Sequence, residues 1–339
     1  MAKKVMKTSG KILLILLGII VLFLLVLAIT NQIAIKTELS KIEDDYGQSV
    51  EVFGKNMRVD ITGSGEDTIV LLPGLGIDSP IIFYRPLAGF LSENYTVITV
   101  EYFGYGLSDP TDRPRTVENI SEELHEALSK LGYDNYILMP HSLSGLVSVY
   151  YANQYPDEVV AVAGLDTTVS AQYYSPDPEE LAAVKSDFNK EKLLSNLGLR
   201  RFTVKLLPDV FWSESKLFGD EYGFSQEDID LLKNVDLNTY CTRLDNTLEE
   251  IFLQRENMDK VSVLTFPNTI PVIFFLAEDI AEVYASIGQS WEDMHEDLIA
   301  DKERSRIILL DGGHMVMLTH PKEIAEEFNL WYQGLEQLS

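Results

Sequence analysis

One cysteine, Cys241, stands in 339 residues. No disulfide can form within the chain, so its stability must come from an apolar core, which a chain this long with 46% hydrophobic residues can build. Histidine is scarce too, at five copies, and none is spaced with the cysteine as metal ligands are. No glycine-rich phosphate loop leads convincingly into a helix. Basic residues are outnumbered, 27 Lys and Arg against 53 Asp and Glu, for a formal net charge of -26. Such a surface repels nucleic acid and anionic lipid, so neither is an expected partner. Internal repeats and low-complexity runs are absent. Disulfide-stapled, metal-centred and nucleic-acid-binding classes are thereby set aside, and neither a metal nor an organic cofactor is expected.

The longest apolar run lies at the N-terminus. Ile12 to Ile29 is interrupted only by Gly18, and as a helix at about 1.5 Å per residue it spans roughly 27 Å, close to the hydrocarbon thickness of a bilayer. Lys3, Lys4, Lys7 and Lys11 precede it, and no acid occurs before Glu38. This asymmetry predicts a cytoplasmic basic tail (1–11), an uncleaved single-pass anchor (12–30) and a tether (31–48), with the rest of the chain beyond the cell membrane. A cleavable signal peptide is the competing reading. Its apolar region is usually shorter, and Leu27-Ala28-Ile29 makes a poor cleavage site.

Beyond the anchor, apolar runs alternate with helical patterns. Ile69–Leu72, Thr96–Val100, Tyr136–Met139, Val159–Ala163, Val272–Leu276 and Arg306–Leu310 read as buried strands, which predicts an α/β fold with a mostly parallel sheet flanked by helices. Ile324, Phe328, Trp331 and Leu335 form a core-facing stripe on a last helix. The strand at 136–139 runs into Pro140-His141-Ser142-Leu143-Ser144-Gly145, and a helical pattern follows. A serine on a sharp strand-to-helix turn has an exposed hydroxyl, and small residues two before and two after it let the turn close. The N–H of Leu143 then faces whatever that hydroxyl attacks. Downstream, Asp311-Gly312-Gly313-His314 follows a strand, where two glycines suit a loop that aims an imidazole. His125, His141, His295 and His320 sit in less suitable places: a helix face, a position beside the serine pointing away from it, an acidic stretch read as solvated, and a helix start. Upstream, Pro73-Gly74-Leu75-Gly76 ends a strand and can offer a second N–H from Leu75.

With Phe103-Gly104-Tyr105-Gly106-Leu107-Ser108 added, these motifs resemble the α/β-hydrolase family across roughly residues 49–337. The resemblance implies a nucleophile, acid and base in the chain order Ser142, carboxylate, His314, with Leu75 and Leu143 as oxyanion donors. Pro140 and Ser144 stand where the family usually has glycine, and no histidine precedes Gly74. The acid is open among Asp279, Glu278 and Asp166: the family position after the seventh strand falls on Ile280, and some relatives use the sixth strand instead. The family also implies that 169–268, which has no clear buried strand, is a helical cap between two core parts, 49–168 and 269–339. Its aromatics, Tyr173, Tyr174, Phe202, Phe211, Trp212, Phe218 and Tyr222, suggest an apolar acyl or alcohol group. The expected function is a membrane-anchored serine hydrolase cleaving a carboxylic ester. The alternatives are a proline-iminopeptidase-like aminopeptidase, with Glu179-Glu180 or Asp220-Glu221 binding an amine, and a non-catalytic binding protein. The expected partner is a small ester or a short peptide.

Overall fold

A computed structural model describes residues 2–42, 46–172, 176–208, 212 and 222–336. Helix α1 (Ala2–Ile42) leads into strands β1 (Gln48–Val52), β2 (Lys55–Thr62) and β3 (Thr68–Leu72). Short helices α2 (Pro80–Phe83) and α3 (Arg85–Leu91) precede β4 (Thr96–Glu101), followed by α4 (Val117–Leu131), β5 (Tyr136–Pro140), α5 (Ser144–Gln154) and β6 (Val159–Leu165). Among the described residues, three helices come before the next strand: α6 (Pro178–Asn196), α7 (Leu199–Leu206) and α8 (Gln226–Val261). The chain ends with β7 (Val272–Ala277), α9 (Glu278–Ser286), α10 (Trp291–Glu296), β8 (Arg306–Leu310), α11 (Val316–Thr319) and α12 (Pro321–Glu336).

The strands form one sheet in the order β1-β2-β4-β3-β5-β6-β7-β8. Pairing is parallel from β4 to β8 and antiparallel only where β1 and β2 join. Every residue of β3, β4, β5 and β7 is buried. Their unbroken apolar runs reflect a sheet covered on both faces, and separate apolar clusters fill the two sides. On one side α4 buries Val117, Ile120, Leu124, Ala127 and Leu128. It starts at a Thr116 cap on the Asn119 N–H and ends at Gly132 in the left-handed conformation. On the other, α12 buries Ile324, Phe328 and Trp331, as its spacing predicted.

The hairpin β1–β2 went unread in the sequence, because alternating half-buried strands lack the continuous apolar runs that mark the centre. The segment expected as a tether, 31–48, is helical as far as Ile42. Residues 31–42 continue α1 without a break, and their inward face (Asn31, Ala34, Ile35, Glu38, Leu39, Ile42) is covered. This stretch is a docked helix. Tyr173, Tyr174, Phe211, Phe218 and the pair Asp220-Glu221 lie outside the described residues.

Candidate active site

β5 is a central strand, so its C-terminal turn opens at the middle of one sheet edge. Ser142 occupies that turn with φ of 52°, a left-handed conformation that a non-glycine residue adopts only under constraint. The constraint is visible in the backbone. The Ser142 N–H donates to Leu165 O, and its carbonyl accepts from Gly145 and Thr168 at 2.9 and 2.8 Å. Gly74 passes so close that a Cβ there would stand 2.9 Å from Ser142 Cβ and 2.6 Å from the His141 ring, which explains the glycine in the loop after β3. Ser144, in a place where glycine is usual, uses its hydroxyl: Oγ donates to Pro73 O at 2.5 Å and meets Tyr102 Oη at 3.1 Å. The departure from the usual pattern therefore ties the serine turn to the neighbouring loop. Among the described residues no acceptor is found for the N–H of Leu75 or Leu143, both half-buried beside this turn.

His314 Nε2 stands 2.9 Å from Ser142 Oγ, and His314 Nδ1 stands 2.6 Å from Asp166 Oδ2. Asp166 is fully buried at the end of β6. Its Oδ1 accepts from the Ala277 N–H at 3.0 Å and from Trp291 Nε1 at 2.9 Å, so each carboxylate oxygen is satisfied and aimed. Its φ of 41° marks a second strained backbone position in the same site.

The acid expected first, Asp279, is thereby corrected, and so is Glu278. Both are exposed in the first turn of α9, where a carboxylate complements the helix N-terminus. Among the described residues, Asp279 bonds the histidine loop from its backbone, donating from N to Gly312 O at 3.1 Å, while its Oδ2 lies beside Gly313. The reason is topological. β6 lies directly beside β5, whereas β7 is one strand further out, so the end of β6 meets an imidazole poised over Ser142.

Two other histidines differ from their sequence reading. His295 is buried, not solvated, with Nδ1 2.9 Å from Trp291 O and Nε2 3.0 Å from Thr167 O. Burial lowers its pKa. His141, expected to point away from Ser142, packs against His314, with Nε2 3.2 Å from the His314 carbonyl and the ring centroids 4.7 Å apart. Burial first, and the neighbouring His314 second, push its pKa down to about 3. It is therefore neutral, and its one N–H can donate to the His314 carbonyl.

Sequence reasoning missed the polar framework that α8 provides. Asn246 brackets Thr111, accepting from its N–H and donating to its carbonyl at 3.1 and 2.7 Å. Asn257 does the same for Val117 N and Arg115 O. Glu250 accepts from Tyr105 Oη at 2.6 Å, and Tyr105 Oη accepts from the Gly76 N–H at 3.2 Å. Glu250 faces the buried Arg115, which also holds Glu123. Burial raises the pKa of Glu250, and Arg115 opposes that rise. Asp78, after the same loop, pairs with Arg243. Helix α8 thus grips the loop that carries Leu75 at several points. Isolated acids and amides on a helix give no sequence signal of such distant partners.

The parallel sheet, the strained serine between strand and helix, the imidazole and the buried aspartate define the class of hydrolases built on an α/β core. The profile of the alpha/beta hydrolase family matches residues 69–327, and the chain belongs to that family. It is 26% identical over 279 residues to the uncharacterized protein YbdG of Bacillus subtilis (strain 168), covering 82% of this chain and 83% of that protein. It is 26% identical over 286 residues to a putative carbamate hydrolase, RutD, of Cronobacter turicensis, covering 81% and 93%. Among solved structures, the epoxide hydrolase CorEH is similar with a TM-score of 0.62 at 21% identity, covering 85% of this chain and 98% of that one. An esterase of Thermogutta terrifontis gives a TM-score of 0.59 at 15% identity, covering 85% and 99%.

Proposed function

We propose that the protein is a serine hydrolase that cleaves carboxylic esters, held at the membrane by α1. The observation that carries this reading is the hydrogen-bonded chain from Ser142 Oγ through His314 to Asp166. In the proposed reaction His314 takes the Ser142 proton as Oγ attacks the ester carbonyl. The tetrahedral oxyanion is held by the N–H groups of Leu75 and Leu143, each worth on the order of 3 kcal/mol when aligned. His314 then returns the proton to the departing alkoxide, leaving an acyl group on Ser142 that water removes by the same route. Asp166 fixes the imidazole tautomer and stabilises its protonated form without taking the proton. A serine at the turn, instead of an aspartate, separates this chemistry from the alkyl-enzyme route of a carboxylate nucleophile.

The aminopeptidase reading loses a candidate amine-binding group. Glu180 of the Glu179-Glu180 pair is engaged in the capping box of α6, accepting from the Asp177 N–H. For the anchor, the supporting observation is that α1 contains, within Ser9–Ile42, an eighteen-residue window apolar and long enough to cross a bilayer, its side chains largely exposed.

The test is labelling of the full chain in membranes with a fluorophosphonate, with the adduct located by mass spectrometry. An adduct on Ser142 that is lost in Ser142→Ala and His314→Ala is the expected result. A folded protein that neither labels nor hydrolyses short or long acyl esters would favour a binding role. Faster turnover of N-terminal proline amides than of esters would favour the peptidase.

A further inference from the structure

The apolar run of α1 does not stand clear of the folded domain. Gly198, in the α6–α7 turn, sits with φ of 75° directly on α1, where a Cβ would come within 2.6 Å of Leu27 O and 3.0 Å of Asn31 Cβ. One turn along α7, Phe202 packs edge-on against Phe23 with centroids 5.7 Å apart. The pairing is antiparallel: as α7 proceeds from Gly198 to Phe202, its partners on α1 retreat from Asn31 and Leu27 to Phe23. Below this contact the docking turns polar. Asn31 bridges Ser195 O and Arg201 Nε at 3.0 and 2.8 Å, and Glu38 takes Arg201 Nη1 at 2.6 Å and Asn238 Nδ2 at 3.0 Å.

The length of the run fixes what this means. Eighteen residues span only about 27 Å, so the whole of Ile12–Ile29 is needed to cross the hydrocarbon layer. Phe23 lies six residues inside its outer end, or about 9 Å. Whatever packs on Phe23 shares that depth. The surface of α6 and α7 suits such a place: Leu193, Leu194, Leu206 and Leu207 are 59%, 40%, 61% and 52% exposed, more apolar side chain than water normally meets in one short stretch. The charge also departs from the rest of the chain. Residues 190–207 carry Lys190, Lys192, Arg200, Arg201 and Lys205 against Glu191 alone. Lys190, Lys192, Arg200 and Arg201 pair with Asp187, Asp245, Asp236 and Glu38, and Lys205 has a stem long enough to reach headgroups. In a protein of net charge -26, this patch does not repel an anionic bilayer.

We propose that the α6–α7 hairpin is a second membrane contact in the leaflet next to the folded domain, with its Gly198 turn at the lipid interface and Leu206 and Leu207 leading about one helical turn deeper than Phe23. It rests on the reading of α1 as a membrane anchor. Its consequence for the site is direct: α8 holds α1 through Asn238 and the Leu75 loop through Glu250, twelve residues or about 18 Å apart on one helix. The candidate active site is thereby held at a fixed height above the bilayer, within reach of acyl compounds that partition into it.

The experiment uses the full chain with Cys241→Ser, reconstituted in vesicles of phosphatidylcholine and phosphatidylglycerol. An environment-sensitive fluorophore is attached in turn at Leu16→Cys, Leu206→Cys, Leu193→Cys and Leu330→Cys. All four positions are exposed in the protein, so labelling leaves the fold intact. Quenching is read with lipids carrying a doxyl group near the headgroup or near the chain end. Leu193, beside the turn, is expected to be quenched about twofold or more by the shallow quencher, Leu206 and Leu16 by the deep one, and Leu330 by neither. Quenching at Leu16 with Leu206 as silent as Leu330 overturns the hairpin contact and leaves the anchor standing. Silence at Leu16 overturns the anchor and this inference with it. Equal quenching at Leu206 and Leu330 marks adsorption without specific seating, and also overturns it.

Discussion

At the scale of single residues, the division of labour between carboxylates is the sharpest outcome. Asp166 and Asp279 both lie near the His314 loop, yet only Asp166 offers a buried oxygen to Nδ1, with its other oxygen held by Ala277 and Trp291. Asp166→Asn is expected to lower kcat for ester hydrolysis by roughly 10³- to 10⁴-fold, by leaving the imidazole in the wrong tautomer. Asp279→Asn is expected to stay within about threefold of the parent, as exposed acids away from the reacting atoms do. Steady-state rates on one chromogenic ester decide between them, and the opposite ranking would restore Asp279. Ser142 and His314 were legible because both sit in turns with a local chemical signature. The acid was not, because its partner is 148 positions away and three carboxylates met the same local description.

At the scale of elements, the loop between β4 and α4 rests on one buried carboxylate. Glu101, at the end of β4, accepts from the Leu107 N–H at 2.8 Å and from Tyr46 Oη, and burial raises its pKa from 4.5 to about 7. The folded protein therefore holds a proton that the unfolded chain has released between those two values. The stability this proton contributes is complete below pH 4.5 and is lost as pH rises through about 7, an effect of about 3 kcal/mol. Urea midpoints are expected to fall across that interval, and Glu101→Gln should flatten the decline. An unchanged slope in the variant would assign the pH dependence elsewhere. None of this was legible in the sequence, where Glu101 is simply the residue after an apolar run. The strands themselves were legible, because a sheet covered on both faces demands the continuous apolar segments seen at 69–72, 136–139 and 272–276.

At the scale of the whole molecule, α1 joins an apolar run long enough to cross a bilayer to a structural helix of the folded domain. Arg201 is 6% exposed and keeps its charge satisfied by Asn31 and Glu38 from α1 together with Asn238 from α8. A chain shortened to begin at residue 46 is expected to lose roughly 2 kcal/mol or more relative to one beginning at residue 30, because it uncovers the apolar surface packed on Ala34, Ile35, Leu39 and Ile42 and removes the partners of Arg201. Thermal melts of the two soluble forms check this. Equal Tm values would show that 31–42 is a tether after all. The helices between β6 and β7 follow the same logic, since α8 joins α1 to the loop carrying Leu75 through contacts far apart in sequence.

The sequence by itself determined the local features: buried strands from their apolar runs, a helix long enough to cross a bilayer from its length, and a serine and a histidine presented in turns. These are properties of a few consecutive residues, set by backbone sterics and side-chain polarity. Tertiary structure alone decided which carboxylate meets His314 Nδ1, where His141 and His295 are buried, and that α6 and α7 pack on α1. Each depends on which strand ends and helix faces become neighbours. That is fixed by strand order and packing, where residues more than a hundred positions apart come within hydrogen-bonding distance.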